Sequence, residues 1–500
     1  MVSRRQVIRT GSALAAMSAL PTVAHATDSE LWDVIVVGGG TAGLPTALFS
    51  AERSNRVLVI EKGPILGGTL DRSAGQVAAA GTVFQAAKNI EDTPDAHYED
   101  IVRINDGTSD PALIRLFVEH AADALNWLAA NGYEVEPNHP VTGQGHEHFR
   151  TARYQWGVKG GWSIYEAMAP LAEQAVKRGA LQINLNTSAT ELMIDNRGHV
   201  VGVVSEAADG KRHEHRARNV VLASGGCASN PTMFEELHGI PLYCQVAHPN
   251  SQGIGITLGL AAGGYVRGGE HYQPLPGALL ANDNYPALPT ALAPLNPTLR
   301  LPWEILVNAD GKRFVREDDP HVHNIETAIR QQQGERHWAI FDDAILEKAP
   351  PLIPDWSPTA LRDAVGTHPM IDTANSIGEL ANAAGLDADT LIATVEIYNR
   401  ARENDRPDPH GLEHRPLPIA KPPFYAVRMN GWTLISFAGL GVNDKLQVTN
   451  ASGTPIPNLY AVGEVIGAGA TSGNAYTNGM LVTPGITFGR LLGKQILPFG

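Results

Sequence analysis

Gly38, Gly40 and Gly43 stand in a Gly-x-Gly-x-x-Gly spacing directly after the apolar run Trp32-Asp33-Val34-Ile35-Val36-Val37. Such an unbroken β-rich run reads as a buried parallel strand. A helical stretch at 44–53 follows, then a second strand at 56–60 that ends on Glu61. Strand, glycine turn, helix, strand and terminal acid in this order predict a dinucleotide site. Gly38 permits the tight turn, Gly40 lets backbone approach a pyrophosphate, and Gly43 lets helix and strand pack closely. Thr41 and Ala42 lie between them, where amides at the helix start face phosphate oxygens. Glu61, with Lys62 beside it, can accept hydrogen bonds from a ribose hydroxyl and disfavours a 2′-phosphate.

A second set of small residues indicates which dinucleotide. Gly67-Gly68-Thr69 and Ser73-Ala74-Gly75-Gln76 follow soon after Glu61, and bare backbone with small hydroxyls suits a flavin and its ribityl chain. Far downstream, Asn219-Val220-Val221-Leu222 runs into Ala223-Ser224-Gly225-Gly226, and Leu459-Tyr460-Ala461-Val462 runs into Gly463-Glu464. A cofactor touched by both ends of the chain is a permanently held FAD, so the domain binding it is discontinuous and carries an insertion. Gly68, Thr69, Ser73, Gly75, Gln76, Ala223, Ser224, Gly225, Gly463, Glu464, Leu481 and Val482 complete the expected cofactor contacts.

The elements that must position these residues come from a chain of 500 residues, enough for roughly three domains or two large ones. With 43% hydrophobic and 18% charged residues the composition is globular, which excludes a disordered or collagenous chain. Two cysteines exclude a disulfide scaffold, a four-cysteine zinc site and an iron–sulfur cluster held by this chain alone. No metal site is expected, and Cys227 and Cys244 read as small buried apolar residues. A formal charge of −14 argues against a nucleic-acid partner. Asp110-Pro111 opens an amphipathic helix pattern at 111–131, another covers 163–177, and a strand follows at 181–185.

Residues 1–26 read as a targeting segment. Arg4-Arg5 is followed by a weakly apolar stretch at 12–23 and by Ala24-His25-Ala26, a small-x-small cleavage site. This predicts a twin-arginine signal peptide, export of the folded protein, and a periplasmic mature chain without a membrane span.

The glycine motif with Glu61, the 67–75 segment, Ala223-Ser224-Gly225-Gly226, Gly311-Lys312-Arg313-Phe314 and the 459–464 segment occur in that order. Together they resemble the fumarate reductase/succinate dehydrogenase flavoprotein superfamily. The resemblance implies an α/β architecture: a discontinuous, Rossmann-like FAD-binding domain at 27–239 and 371–500, with an inserted α+β capping domain at 240–370. It also places Ala189, on a strand edge, near the adenine. The Pro-, Leu- and Ala-rich stretch 274–302 reads as loops of a lid.

Three polar clamps that fumarate reductases place on a dicarboxylate are replaced here. The arginine four residues after the motif glutamate becomes His321, after Glu317. No arginine follows Gly463-Glu464 before Arg490, and Ser436-Phe437-Ala438-Gly439-Leu440 replaces a histidine-bearing stretch. A doubly charged substrate would be poorly neutralised. At Tyr476 to Gly479, and on to Thr487-Phe488-Gly489, the chain is more similar to 3-ketosteroid dehydrogenases, in which a tyrosine hydroxyl and a glycine N–H hold a ketone oxygen. That similarity implies hydride transfer between flavin N5 and a C–C bond next to the carbonyl of a neutral, cyclic small molecule, together with a separate electron carrier. The alternative is a reductase of a fumarate- or urocanate-like unsaturated acid. The proton-transfer residue remains open among His271, Tyr272, His321, His323 and Tyr154.

Overall fold

The computed structural model describes residues 31–497 apart from 55 and 405; the signal segment expected at 1–26 lies outside the described residues. The first half of the larger sheet is built as its apolar runs dictate. β1 (Trp32–Val37) pairs in parallel with β2 (Val57–Ile60), and β2 with β3 (Leu181–Asn184). Between β1 and β2, α1 (Gly43–Ala51) is buried along its whole length. α2 (Pro111–Ala130) begins where Asp110 accepts hydrogen bonds from the amides of Ala112 at 2.9 Å and Leu113 at 3.1 Å. Pro111, which has no amide hydrogen to place, sits in the first turn. α3 (Gly161–Lys177) precedes β3.

β4 (Thr187–Ile194), β5 (Val200–Ala207) and β6 (Arg212–Leu222) form an antiparallel run. β6 is long enough to serve two sheets' worth of pairing. Its first half pairs with β5, and its second half, from Ala217 to Leu222, lies parallel to β1.

The smaller unit is an antiparallel sheet with its own apolar core. β7 (Leu275–Leu280) pairs with β8 (Pro289–Leu292), β9 (Ile305–Val307) with β10 (Arg336–Asp342), and β11 (Ile371–Ala374) with β12 (Phe424–Trp432). β12 also pairs with β7 and β10 and is the spine of this layer. Two differences from the sequence reading stand out. The 274–302 stretch is not all loop, because β7 and β8 occupy it. A register shift between Leu275 and Ala278 and the φ of +91° at Gly277 let a Pro- and Gly-containing segment join a ladder. The division placed at residue 370 falls inside this core, since β11 and β12 pack together with Leu279 and Ile340.

The chain then returns to the larger sheet. β13 (Gln447–Thr449) pairs with β14 (Pro455–Ala461), which lies parallel to β6. The closing helix, α4 (Val482–Gln495), packs on α1. Glycines make that contact possible: a Cβ on Gly489 would stand 2.3 Å from the Ala42 carbonyl oxygen, and one on Gly493 would stand 2.6 Å from that of Thr46. Among the described residues no helix is long and apolar enough to cross a membrane.

Cys227 and Cys244 are both buried, and burial pushes each thiol up to about 12. Thiolate is the reactive form. The folded protein at pH 8 is therefore expected to resist iodoacetamide over hours and to take up two equivalents in denaturant; fast labelling without denaturant would contradict this packing.

Candidate active site

Three parallel strands end side by side. Val37 of β1 is in register with Leu222 of β6, which is in register with Ala461 of β14. The loops that leave them start at the same level, where ligands bind in open parallel sheets. Ala223 N–H donates to the Val37 carbonyl at 2.8 Å, and Val462 N–H donates to that of Leu222 at 3.0 Å. Gly38 adopts φ +100°, and a Cβ there would lie 2.5 Å from the Ala223 carbonyl oxygen. A Cβ on Gly43 would lie 1.8 Å from the Gly38 carbonyl oxygen, so this glycine serves helix-to-strand packing. A Cβ on Gly68 would come within 2.9 Å of the Gly40 Cα, so two bare stretches of backbone face each other. The Glu61 carboxylate accepts the amides of Gly39 at 2.7 Å and Gly63 at 2.6 Å, which fixes it beside the first loop.

These loops open on a continuous cleft with about 1910 Å³ of space free of protein atoms, open water at its mouth included. Of the expected cofactor contacts, Gly38, Gly40, Thr41, Ala42, Glu61, Gly68, Thr69, Ser73, Gln76, Ala223, Ser224, Gly225, Gly463, Glu464, Leu481 and Val482 line it. Gly43, Lys62, Gly75 and Ala189 do not. Lys62 faces solvent and Ala189 is buried in β4, opposite Ser205. Gly75 lets the chain cross Gly161, whose amide nitrogen a Cβ would approach to 2.3 Å.

The lining fits FAD: facing glycine backbones and a helix start for phosphates, a fixed carboxylate for ribose hydroxyls, and the buried Thr477 hydroxyl oxygen, which has no partner among the described residues. Among the described residues no cluster of His, Cys, Asp and Glu is arranged to hold a metal ion.

The far end of the cleft is built differently. Tyr476 is buried against Phe437, at a ring separation of 5.3 Å, and belongs to an apolar cluster with Ile435, Ala468 and Phe234. Its hydroxyl donates to the Gln273 main-chain carbonyl at 3.2 Å. Burial raises this phenol well above its ordinary range, so it stays protonated and acts as a donor. Gly479 also lines the cleft, with φ +78° and no room for a Cβ, which would meet the Ala78 amide nitrogen at 2.5 Å.

The three expected catalytic residues of the inserted unit are not brought to this cleft. Tyr272 is buried behind the wall and hydrogen-bonded to the Thr433 hydroxyl at 2.8 Å, and burial keeps it protonated as well. His271 faces Glu270 at 3.5 Å. His321 is exposed at the start of helix Val322–Arg330 and pairs with Glu147 at 2.8 Å. His323, also considered, lies 3.6 Å from Asp106. Tyr154 does line the cleft, and burial raises its phenol.

Two further groups shape this end. Glu464 accepts hydrogen bonds from the Ser436 amide at 2.9 Å and hydroxyl at 3.2 Å, so its carboxylate ties down the 436–439 turn. His238, pushed down to about 4 chiefly by burial, is neutral and holds the same turn. Its Nε2 accepts the Phe437 and Ala438 amides at 3.0 and 3.1 Å, while Nδ1–H donates to the Phe234 carbonyl.

The sequence reading missed His146, His248 and Thr477 in the lining, and Asn478 behind it. For His146 the only local signal is its place in Gly143-Gln144-Gly145-His146, a histidine in a glycine-rich stretch without helix or strand period.

Comparison with known proteins agrees with this geometry. The family pattern described as the FAD binding domain matches residues 33–478. A fumarate reductase (cytochrome) of Shewanella frigidimarina is 28% identical over 467 residues, covering 93% of this chain and 76% of its own. A 4-oxocyclohexanecarboxylate 2-dehydrogenase of Sinomonas cyclohexanicum is 23% identical and covers 94% of each chain. The fold is shared with the 3-ketosteroid Δ1-dehydrogenase of Sterolibacterium denitrificans, at TM-score 0.73 and 20% identity, over 94% of this chain and 99% of that one.

Glu61→Gln keeps the shape and removes the charge. Hydrogen bonds to a charged group contribute about 1.5–3 kcal/mol, so the variant is expected to bind FAD about tenfold or more weakly in a fluorescence titration of apoprotein. Unchanged affinity would remove Glu61 from the ribose site.

Proposed function

The chain belongs to the FAD binding domain family and is an FAD-dependent oxidoreductase acting on C–C bonds; on that premise we propose that it desaturates a neutral cyclic ketone next to the carbonyl, or carries out the reverse. One observation carries the reading. Among the described residues the cleft lining contains one arginine, Arg72, and it lies at the dinucleotide end, where its charge and those of Asp71 and Glu61 act on His248. At the other end the wall includes Tyr476, His146 stacked on it, Ile435, Leu434, Ala468 and Met480. A largely apolar wall carrying the Tyr476 phenol as a donor suits a ring bearing one carbonyl. A dicarboxylate would leave charge without a partner there.

FAD supplies the two-electron acceptor or donor for the bond. The chain's own residues do the rest. The Tyr476 hydroxyl turns from the Gln273 carbonyl to the ketone oxygen, and the Gly479 N–H is the second donor. Both stabilise the negative charge that develops when the neighbouring carbon loses its proton. The relative named for 4-oxocyclohexanecarboxylate supports a ring ketone. The relative named for fumarate supports the second reading, reduction of an unsaturated acid. We also infer that Arg4-Arg5 and the Ala24-His25-Ala26 site direct export to the periplasm.

Anaerobic mixing with saturated ring ketones is expected to bleach the flavin, and Tyr476→Phe to slow bleaching by about 10²-fold. Reoxidation of reduced enzyme by unsaturated acids alone would favour the second reading. Replacing Arg4 and Arg5 by Lys is expected to retain precursor in the cytoplasm on cell fractionation; export unchanged by that pair would refute the twin-arginine route.

A further inference from the structure

The loop 142–149 crosses beside Tyr476 and is held from three directions. Asn478, buried in the C-terminal segment, donates from Nδ2 to the Glu147 carbonyl at 2.8 Å and accepts the Gln144 amide on Oδ1 at 3.2 Å. From the smaller unit, Asn296 donates to the Gly145 carbonyl and the Thr298 hydroxyl accepts the Gly145 amide at 3.2 Å. The Glu147 side chain is engaged by Arg103 and His321. What all these bonds fix is the residue between Gly145 and Glu147. The His146 ring stacks on Tyr476, with centroids 5.3 Å apart and planes at 19°, and it lines the cleft. Its Nδ1 is sealed from water without a partner among the described residues, which leaves Nε2 as the nitrogen available to the cleft.

We propose that His146 is the catalytic base of the ring-ketone reaction, its Nε2 taking the proton from the carbon next to the carbonyl that Tyr476 holds. The inference rests on the reading in the preceding subsection. In the oxidative direction the C–H bond next to the carbonyl breaks heterolytically. The proton goes to His146 and the electron pair moves into the enolate; a hydride then leaves the adjacent carbon for FAD, the two-electron oxidant, and the C=C bond forms. In reverse, the imidazolium returns the proton.

Other groups in the lining are committed elsewhere. Tyr476 and Tyr154 are kept protonated by burial, and Glu464 is held by Ser436. His248 accepts the Asn250 amide on Nδ1 at 3.1 Å and lies with Arg72 and Glu61. Burial pushes His146 down to about 4, so its imidazole is neutral and its lone pair is available at neutral pH.

The test uses the FAD-loaded full chain, anaerobically, with 4-oxocyclohexanecarboxylate and cyclohexanone as probes in D2O. Two readouts are followed: deuterium entering the carbons next to the ketone, by NMR, and flavin bleaching. His146→Gln is expected to lower the exchange rate by about 10²–10⁴-fold, the range for losing a general base. Probe affinity should stay within a few-fold and flavin content at wild-type level. His146→Ala, with its space open, should regain exchange when imidazole is added. Wild-type exchange in both variants overturns the assignment while leaving the ring-ketone reading intact. Neither exchange nor bleaching by the wild-type protein with either probe overturns the ring-ketone reading and this inference with it.

Discussion

Val37, Leu222 and Ala461 end three parallel strands at one level, and the chain must leave all three side by side, with neighbouring strands only about 4.8 Å apart. That crowding dictates the residue types around it. A Cβ on Gly38 or Gly43 would enter the carbonyl of a neighbouring segment, so these positions admit no side chain without moving a strand or a helix. The bare backbone that results is also what a pyrophosphate needs, since hydrogen-bond donors then face the ligand with no side chain in between. At Gly38, which also lines the cleft, packing and binding thus impose the same requirement on one residue. The pairing of β1 with β6 and of β6 with β14 is therefore the constraint on which the cofactor end of the cleft depends.

The other end is governed by burial acting on hydrogen-bonding groups. Tyr476 and Tyr272 are both deeply buried phenols, yet only Tyr476 reaches the cleft; Tyr272 is fastened to Thr433 in the layer behind. Glu464 and His238 show the structural use of polar groups in the same low-dielectric region. One binds Ser436 and the other receives two amides of the following residues. Between them they shape the turn that leads into the short Gly439–Leu440 strand. Buried polar groups that are fully satisfied in this way rigidify their surroundings.

Much of this was legible in local sequence. The Gly38–Gly43 spacing, Glu61, the Asp110-Pro111 helix start and the apolar runs of β1, β6 and β14 all act through neighbours in the chain or through a period of two or 3.6 residues. Where the outcome depends on distant partners, legibility fails. β7 and β8 were hidden because proline and glycine normally break strands, and only the bulge against β12 accommodates them. The division at 370 missed β11 and β12 because their core partners, Leu279 and Ile340, lie between about 30 and 150 residues back along the chain. His271, Tyr272 and His321 had the right chemistry, but three-dimensional packing turned each to another partner. His146 sits in an aperiodic loop whose placement comes from Asn296 and Asn478, far away in sequence.

The pairing of Leu222 with Ala461 has a consequence for how the molecule is made. During synthesis β1, β2 and β6 emerge early, but the strand that closes the third side of the cofactor loops follows only after the whole inserted unit has been produced. Such a distant pairing carries a large loop-closure entropy and forms slowly. The nascent chain therefore holds an open-edged parallel sheet until β14 arrives, and such an edge is a template for misassociation. Stable retention of the flavin becomes a signal that β14 and α4 have docked, because the loop after β14 and the start of α4 both line the cleft.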